Sequence, residues 1–211
     1  MIRTTVLAVL LAASFPAFAT EQAKAKPDLA KAKEIAEGVC VACHGADGNS
    51  SAPANPILAG QISEYLYKQL SNFKAADGKP AVRNNAIMGG MVAALSDEDM
   101  RNLAAYFSQQ KMKPSLAKEE KLLAEGKTLW RMGDFEKGIP ACAGCHGPAG
   151  AGLPVQYPRL AGQYAEYTAS QLKTFRSHER ANDSEKVMRT IAGKLSDHQI
   201  AAVAEYAAGL R

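Results

Sequence analysis

Hydrophobic residues recur at helical spacing in several segments of the chain, and stretches rich in Gly, Pro and Asn separate these segments. In residues 60–75 the apolar side chains fall on one helical face: Ile62, Leu66, Leu70 and Phe73. Residues 28–38 and 117–131 also read as helices. No alternating apolar and polar run typical of a strand is evident in the sequence. We therefore predict an all-α protein joined by long loops.

Two further helices are predicted where the tripeptide Leu-Ser-Asp occurs, at residues 95–97 and 195–197. Ser96 and Ser196 are suited to cap these helices, and Gln199 stands at the capping-box position. Acidic residues in the first turn offset the helix dipole. The inward faces are apolar, with Met100, Leu103 and Phe107 in the first helix and Ile200, Val203 and Ala207 in the second.

The second half of the chain repeats the first. The offset is 102 residues from residue 40 onward and 100 residues further along, where "LSD" meets "LSD". The repeat also pairs "PILAGQ" with "PRLAGQ". Repeats of this length indicate two copies of one domain rather than a solenoid. We place the N-terminal domain at residues 20–112 and the C-terminal domain at residues 113–211.

Residues 1–19 resemble a cleavable export signal. Arg3 precedes a short apolar run, and Ala17-Phe18-Ala19 fits the small-x-small rule of a cleavage site. The apolar run is too short for a spanning helix, which needs about 20 residues. A retained membrane anchor is the alternative. We expect a signal peptide, and export of the remainder to the periplasm.

The charge distribution indicates which classes of partner the chain can bind. The chain has 25 Lys and Arg against 21 Asp and Glu, too weak an excess for a nucleic-acid-binding protein, and the sequence has no basic run. Residues 20–112 carry ten basic and ten acidic side chains, whereas residues 113–211 carry fourteen and eleven. We expect a partner with an acidic face to dock on the C-terminal domain through a salt-sensitive contact.

All four cysteines lie in two copies of Cys-x-x-Cys-His, "CVACH" at 40–44 and "CAGCH" at 142–146. A zinc site would need four protein ligands, and a thioredoxin-like dithiol would need a βαβ context. Cys-x-x-Cys-His instead fits covalent haem, with the two thiols on the porphyrin and the histidine on the iron. The predicted attachment residues are Cys40, Cys43, Cys142 and Cys145, and the proximal ligands are His44 and His146. Haem would also supply the core that domains this small lack.

The repeat selects the sixth iron ligand. Met188 is the only methionine after the second motif, and it pairs with Met88 at the offset of 100. Met91, which pairs with Ile191, is the alternative in the first domain. Iron held by His and Met has no vacant position for a substrate, which favours an electron carrier over an enzyme.

Matching loops follow each motif. Pro56 and Pro158 cannot donate hydrogen bonds, so we expect their rigid loops to present a carbonyl to the ligand histidine, although simple stiffening of the loop is the alternative. Leu58 and Leu160 would then pack on the porphyrin. We expect His178 and His198 on the surface.

The paired "CVACHG…NPILAGQ…MGGMVAALSD" and "CAGCHG…YPRLAGQ…MRTIAGKLSD" resemble two class I cytochrome c domains in tandem, as in the bacterial dihaem cytochromes c4. The resemblance implies two haem c groups that approach each other across a pseudo-twofold interface, and loose association with the inner membrane. It implies electrons passing from a quinol-oxidising complex toward a haem–copper terminal oxidase. A relay subunit of a periplasmic dehydrogenase complex and a dihaem enzyme such as a peroxidase are the alternatives. We expect a monomer.

Overall fold

The computed structural model describes residues 26–76 and 78–211. The predicted signal peptide and residues 20–25 of the predicted N-terminal domain lie outside these residues. Helices and loops make up the described chain, in which pairing of extended backbone is limited to isolated bridges. The prediction of an all-α fold is therefore confirmed.

The first half is built on helices that cross over one apolar core. Their bounds are α1 Leu29–Ile35, a π-helical turn Ala36–Cys40, α2 Val41–His44, α3 Ser63–Phe73, α4 Ala86–Val92 and α5 Asp97–Ser108. Helices α1 and α3 both pack against α5. The core between them includes Leu66, Phe73, Leu103 and Phe107. These are the positions that the helical spacing predicts to be inside.

The second half repeats this plan with one change. Its elements are a 3₁₀ turn Glu120–Leu122, α6 Leu123–Met132, α7 Ala143–His146, α8 Ala165–Arg176, a 3₁₀ turn Ser184–Lys186, α9 Val187–Ala192 and α10 Asp197–Gly209. Helix α1 runs into its cysteine motif through the π-helical turn, whereas α6 stops at Gly133, whose φ is +76°. A turn then follows, closed by paired backbone bonds between Asp134 and Ile139.

The short helices α4 and α9 are absent from the sequence prediction, which placed loops in these stretches. Each is only six or seven residues long. Their apolar spacing covers too few turns to stand out against the surrounding loops. They matter because Met88 lies on α4 and Met188 lies on α9.

Both Leu-Ser-Asp helices begin with complete capping boxes. In α5 the Ser96 side chain accepts from the backbone N–H of Asp99, and the Asp99 carboxylate accepts from the backbone N–H of Ser96. In α10 the partners are Ser196 and Gln199. The two domains therefore use the same cap with one difference: an ionisable carboxylate stands where the other has a neutral amide.

That difference predicts unequal acid stability. The Lys31 ammonium, 2.6 Å from Asp99 Oδ1, and the Ser96 hydroxyl lower the pKa of Asp99 to about 2. Because the pKa is lowered on folding, the stabilisation is complete above the ordinary pKa of 3.8 and is lost as the pH falls through 2. As the pH falls from 3.8 to 2, we expect the free energy of unfolding of the N-terminal half to fall by roughly 1 kcal/mol. The loss is modest because Lys31 is exposed, and solvent weakens its attraction to Asp99. In far-ultraviolet circular dichroism melts, Asp99→Gln should lose less stability than the unsubstituted protein as the pH is lowered. If both lose the same amount, Asp99 is not the source of the acid sensitivity.

Gly126 marks the closest approach of α6 to α10. A Cβ atom at this position would lie 2.1 Å from the Ala202 carbonyl oxygen and 2.7 Å from Tyr206 Cβ. Both neighbours are fixed by helix α10, so the two helices would have to separate. We expect Gly126→Ala to lower the free energy of unfolding by about 3 kcal/mol or more and to lower the melting temperature by about 10 °C.

Gly38 supplies a matched control for this substitution. It lies in the π-helical turn with open space around its Cα. Gly38→Ala should therefore leave the melting temperature unchanged or slightly raised, because alanine has the higher helix propensity. Equal melting temperatures for the two variants would show that the α6–α10 crossing is not tightly packed.

The two halves contact each other through reciprocal glutamine side chains. The Gln61 amide bonds the backbone N–H and carbonyl of Arg159, each at 2.9 Å. The Gln163 amide bonds the backbone of Ile57 in the same way, also at 2.9 Å. The two glutamines belong to the repeated "LAGQ" segments, so the duplication produces a pseudo-twofold interface.

Candidate functional site

In each cysteine motif the second cysteine and the buried histidine lie on a short helix, α2 or α7, and the first cysteine immediately precedes that helix. Cys43 lies at the surface, and the other three cysteines are partly buried. All four thiols are free of disulfide bonds. Burial raises the pKa of Cys40, and it raises the pKa of Cys142 to about 11. These two thiols are therefore neutral, which suits thioether formation better than binding of a metal as thiolates.

The histidine of each motif is held by a backbone carbonyl from the loop that follows. His44 and His146 are 8% and 7% exposed. Their Nδ1 atoms lie 2.9 Å from the carbonyl oxygens of Pro56 and Pro158, respectively. Burial lowers the pKa of both rings, and the bonds to the proline carbonyls offset part of that effect. A neutral ring that donates from Nδ1 keeps the Nε2 lone pair available for a metal.

Glycine fixes the loop that carries each proline. The Gly48 carbonyl accepts the backbone N–H groups of Leu58 and Ala59, at 2.7 and 3.2 Å. Gly48 has φ +75°, and a Cβ there would lie 2.8 Å from a ring carbon of Phe107. Gly150 accepts the corresponding bonds in the second half. The repeated glycines therefore let the loop approach the core closely enough to reach the histidine.

The two predicted methionine ligands occupy equivalent positions. Met88 and Met188 are both partly buried, and Met88 packs against the apolar core of the first half. Met91 is 45% exposed, on the same short helix as Met88. The Asn85 side chain caps α4 by accepting the backbone N–H of Met88 at 2.9 Å. The structure thus favours Met88 over Met91 as a residue of the interior.

The remaining predicted residues also lie where their chemistry can be used. Leu58 packs against the core of the first half, and Leu160 packs against the cluster of Leu129 and Trp130 in the second. The Trp130 indole is 1% exposed and donates to the Pro148 carbonyl oxygen at 3.3 Å. Its ring centroid is 6.4 Å from that of His146. In the second half, an apolar ring therefore lies close to the histidine.

These residues fit covalent haem. Each half combines two thiols that form no disulfide, a buried imidazole with Nδ1 engaged, a partly buried thioether and a neighbouring apolar cluster. His178 is exposed, as is His198, whose Nε2 lies 2.8 Å from Glu125 Oε2. Both are therefore surface side chains, as predicted.

Over residues 26–76 and 78–211, no helix has the length and apolar character needed to cross a membrane.

Two buried arginines at the interface between the halves were not predicted from the sequence. Arg83 and Arg180 are 8% and 7% exposed. The repeat does not align them, because Arg83 follows Phe73 by ten residues and Arg180 follows Phe175 by five. Only folding brings these loops of unequal length together.

Comparison with known proteins gives a consistent result. The cytochrome c family model matches residues 29–111 and 123–210. Cytochrome c4 of Pseudomonas aeruginosa is 47% identical over 86% of this chain and 88% of that relative. The crystal structure of reduced recombinant cytochrome c4 from Pseudomonas stutzeri has a TM-score of 0.81 at 42% identity and covers 88% of this chain and 100% of that one. A thiosulfate dehydrogenase electron acceptor of Thiomonas intermedia is 42% identical over 80% of this chain and 77% of that relative.

Proposed function

The chain belongs to the cytochrome c4 family, and from this premise we propose that it carries electrons in the periplasm from a quinol-oxidising respiratory complex toward a haem–copper terminal oxidase. It holds two covalently bound haem c groups and is an electron-transfer protein rather than an enzyme. The observation that carries the proposal is the repeated buried histidine, held through Nδ1 by a proline carbonyl beside a free thiol pair in each half.

We assign the haem contacts by residue. Thioether bonds form at four cysteines: Cys40, Cys43, Cys142 and Cys145. His44 and Met88 would bind one haem iron, and His146 and Met188 would bind the other. We also propose domains at residues 20–112 and 113–211, after an export signal at residues 1–19.

The protein's own groups account for the function. Haem c supplies a one-electron iron centre when bound. The carbonyls of Pro56 and Pro158 hold the imidazoles in one tautomer and one orientation, so the ligand does not reorganise when the electron arrives. The methionine thioether favours the ferrous state and raises the potential. His44 with Met88, and His146 with Met188, would hold the iron from both sides, so the centre would exchange electrons without an open position for a substrate.

A second candidate function is acceptance of electrons from a periplasmic dehydrogenase. Its support is the 42% identity to the thiosulfate dehydrogenase electron acceptor of Thiomonas intermedia. In this function the chain would serve as a relay docked to a larger catalytic subunit. The free carrier would instead be a monomer that associates loosely with the inner membrane.

Native purification and kinetics separate the two functions. A free carrier should elute alone, and in its reduced form it should be oxidised rapidly by membranes that contain the terminal oxidase. Co-elution with a dehydrogenase subunit, together with slow oxidation by the membranes, would favour the relay.

Oxidation by the partner should slow as salt is added, because the C-terminal half carries the positive excess. A rate independent of ionic strength would contradict an acidic docking partner.

A further inference from the structure

The turn that precedes the second cysteine motif presents apolar side chains to solvent. We call residues 134–139 the Phe135 turn. Phe135 is 92% exposed, and Met132, three residues earlier at the end of α6, is 59% exposed. Among residues 26–76 and 78–211, no large hydrophobic side chain is more exposed than Phe135. A ring left in water adds no apolar burial to the fold, so its surface is available to another molecule.

The Phe135 turn is held firmly on the second half. Paired backbone bonds between Asp134 and Ile139, at 2.9 and 2.8 Å, close its base, and the Ile139 side chain is buried. The backbone N–H of Gly138 donates to the Phe135 carbonyl oxygen at 3.2 Å. The Lys194 ammonium donates to the Gly138 carbonyl oxygen at 2.8 Å. A ring on such a preorganised support loses little freedom when it binds a partner.

Positive charge predominates around the Phe135 turn. Four exposed cations lie in the last two turns of α6, in the Phe135 turn or bonded to it: Lys127, Arg131, Lys137 and Lys194. Residues 127–138 contain two carboxylates, those of Asp134 and Glu136. The Gln199 amide and the Lys137 ammonium engage the Asp134 carboxylate, at 3.0 and 3.7 Å. The surface is therefore electropositive and complementary to an acidic partner.

The Phe135 turn distinguishes the second half from the first. In the described part of the first half nothing corresponds to it, because α1 continues through the π-helical turn Ala36–Cys40 directly into its cysteine motif. In the second half, only Pro140 and Ala141 separate the turn from Cys142, a proposed attachment point of haem. A partner docked on the turn would therefore lie close to the second haem.

We propose that the Phe135 turn is the docking site for an electron-transfer protein whose surface has an apolar pocket rimmed by carboxylates, and that electrons pass between this partner and the second haem. The inference rests on the proposed electron-carrier function. Phe, Met and Arg are enriched in protein interfaces, and this surface offers all three. The small apolar centre with a charged rim suits a short-lived redox complex that buries less than about 1,200 Å².

A lipid surface fits the Phe135 turn less well. Glu136 follows Phe135 directly, so insertion of the ring into a bilayer would carry a carboxylate toward anionic headgroups. One ring and one thioether also offer little apolar area compared with the amphipathic helices that bind membranes. A protein partner can fill a pocket with the ring and leave Glu136 in solvent.

Phe135→Ala tests the apolar contact in the protein with both haems attached. Membranes that contain the terminal oxidase should oxidise the reduced variant, below saturation, about tenfold more slowly than the unsubstituted protein. Oxidation by ferricyanide, both midpoint potentials and the melting temperature should be unchanged. Leu116→Ala removes a side chain of the same half that is 68% exposed, and it is the matched control. Equal oxidation rates for Phe135→Ala and Leu116→Ala overturn the proposal.

Lys127→Gln tests the charged rim. Its loss of rate should be confined to low ionic strength, whereas the loss in Phe135→Ala should persist as salt is added, because salt screens charges and leaves apolar contacts intact. Lys79→Gln removes an exposed lysine of the first half and should leave the rate unchanged at every ionic strength. Equal effects of Lys127→Gln and Lys79→Gln would show that only net charge matters, which contradicts a docking site at the turn.

The oxidation rate of the unsubstituted protein tests the carrier function, and the ratio of variant to unsubstituted rates tests the docking site. If the membranes do not oxidise the unsubstituted protein, the route to the oxidase is wrong, and the same ratios are measured for reduction by the co-purified dehydrogenase. Co-sedimentation with protein-free vesicles of phosphatidylethanolamine and phosphatidylglycerol should be the same with and without Phe135→Ala. Vesicle binding that Phe135→Ala abolishes would show that the turn binds lipid, and would overturn docking of a protein.

Discussion

Met188→Ala is expected to convert one of the two haems into a centre with an open axial position. The substituted protein should lose half of the sulfur–iron absorption band and bind carbon monoxide or cyanide at one haem per chain. The potential of that haem should fall by roughly 0.2 V, a quarter of the roughly 0.8 V range that axial ligands span. The reason is that the thioether preferentially stabilises ferrous iron.

Met88→Ala should have the same effect on the other haem, and Met91→Ala is its matched control. Met91 lies three residues away on the same helix but is 45% exposed, whereas Met88 is partly buried against the core. Met91→Ala should leave both potentials and the absorption band nearly unchanged. Loss of half the band in Met91→Ala, with none in Met88→Ala, would reverse the assignment.

The double substitution Cys142→Ser with Cys145→Ser is expected to abolish covalent haem in the second half and to unfold much of it. The core there is divided between two small clusters, around Trp130 and around Ile200. A half of 99 residues whose apolar core is split in this way would rely on haem to fill its centre. Haem content should fall from two to one per chain, and helical content should fall with it in far-ultraviolet circular dichroism.

The equivalent double substitution at Cys40 and Cys43 tests whether the halves depend equally on haem. The apolar core of the first half is one continuous cluster, from Ala32 to Phe107. Loss of its haem should therefore remove less helix than loss of the second. Retention of two covalent haems in either variant would show that these thiols are not the attachment points.

Much of the fold and most of the site could be read from local chemistry. Cys-x-x-Cys-His is visible in the sequence because its five residues are consecutive in the chain. The duplication predicted Met188 and, through it, Met88 as the sixth ligands, since a ligand shared by both copies should recur at the repeated distance. The amphipathic helices and their Ser96 and Ser196 caps depend on neighbours within four residues, and these interactions are visible in the sequence.

The sequence alone therefore determined the helical class, the duplicated plan and the chemistry of the attachment motifs, because each depends on residues close together or on direct repetition. Only the tertiary structure decided which side chains join the halves and which polar groups are buried where the halves meet. The pairing of Arg83 with Arg180 is the clearest case, because the two loops differ in length and lie almost a hundred residues apart. Their proximity depends on packing across the interface, and no local pattern encodes it.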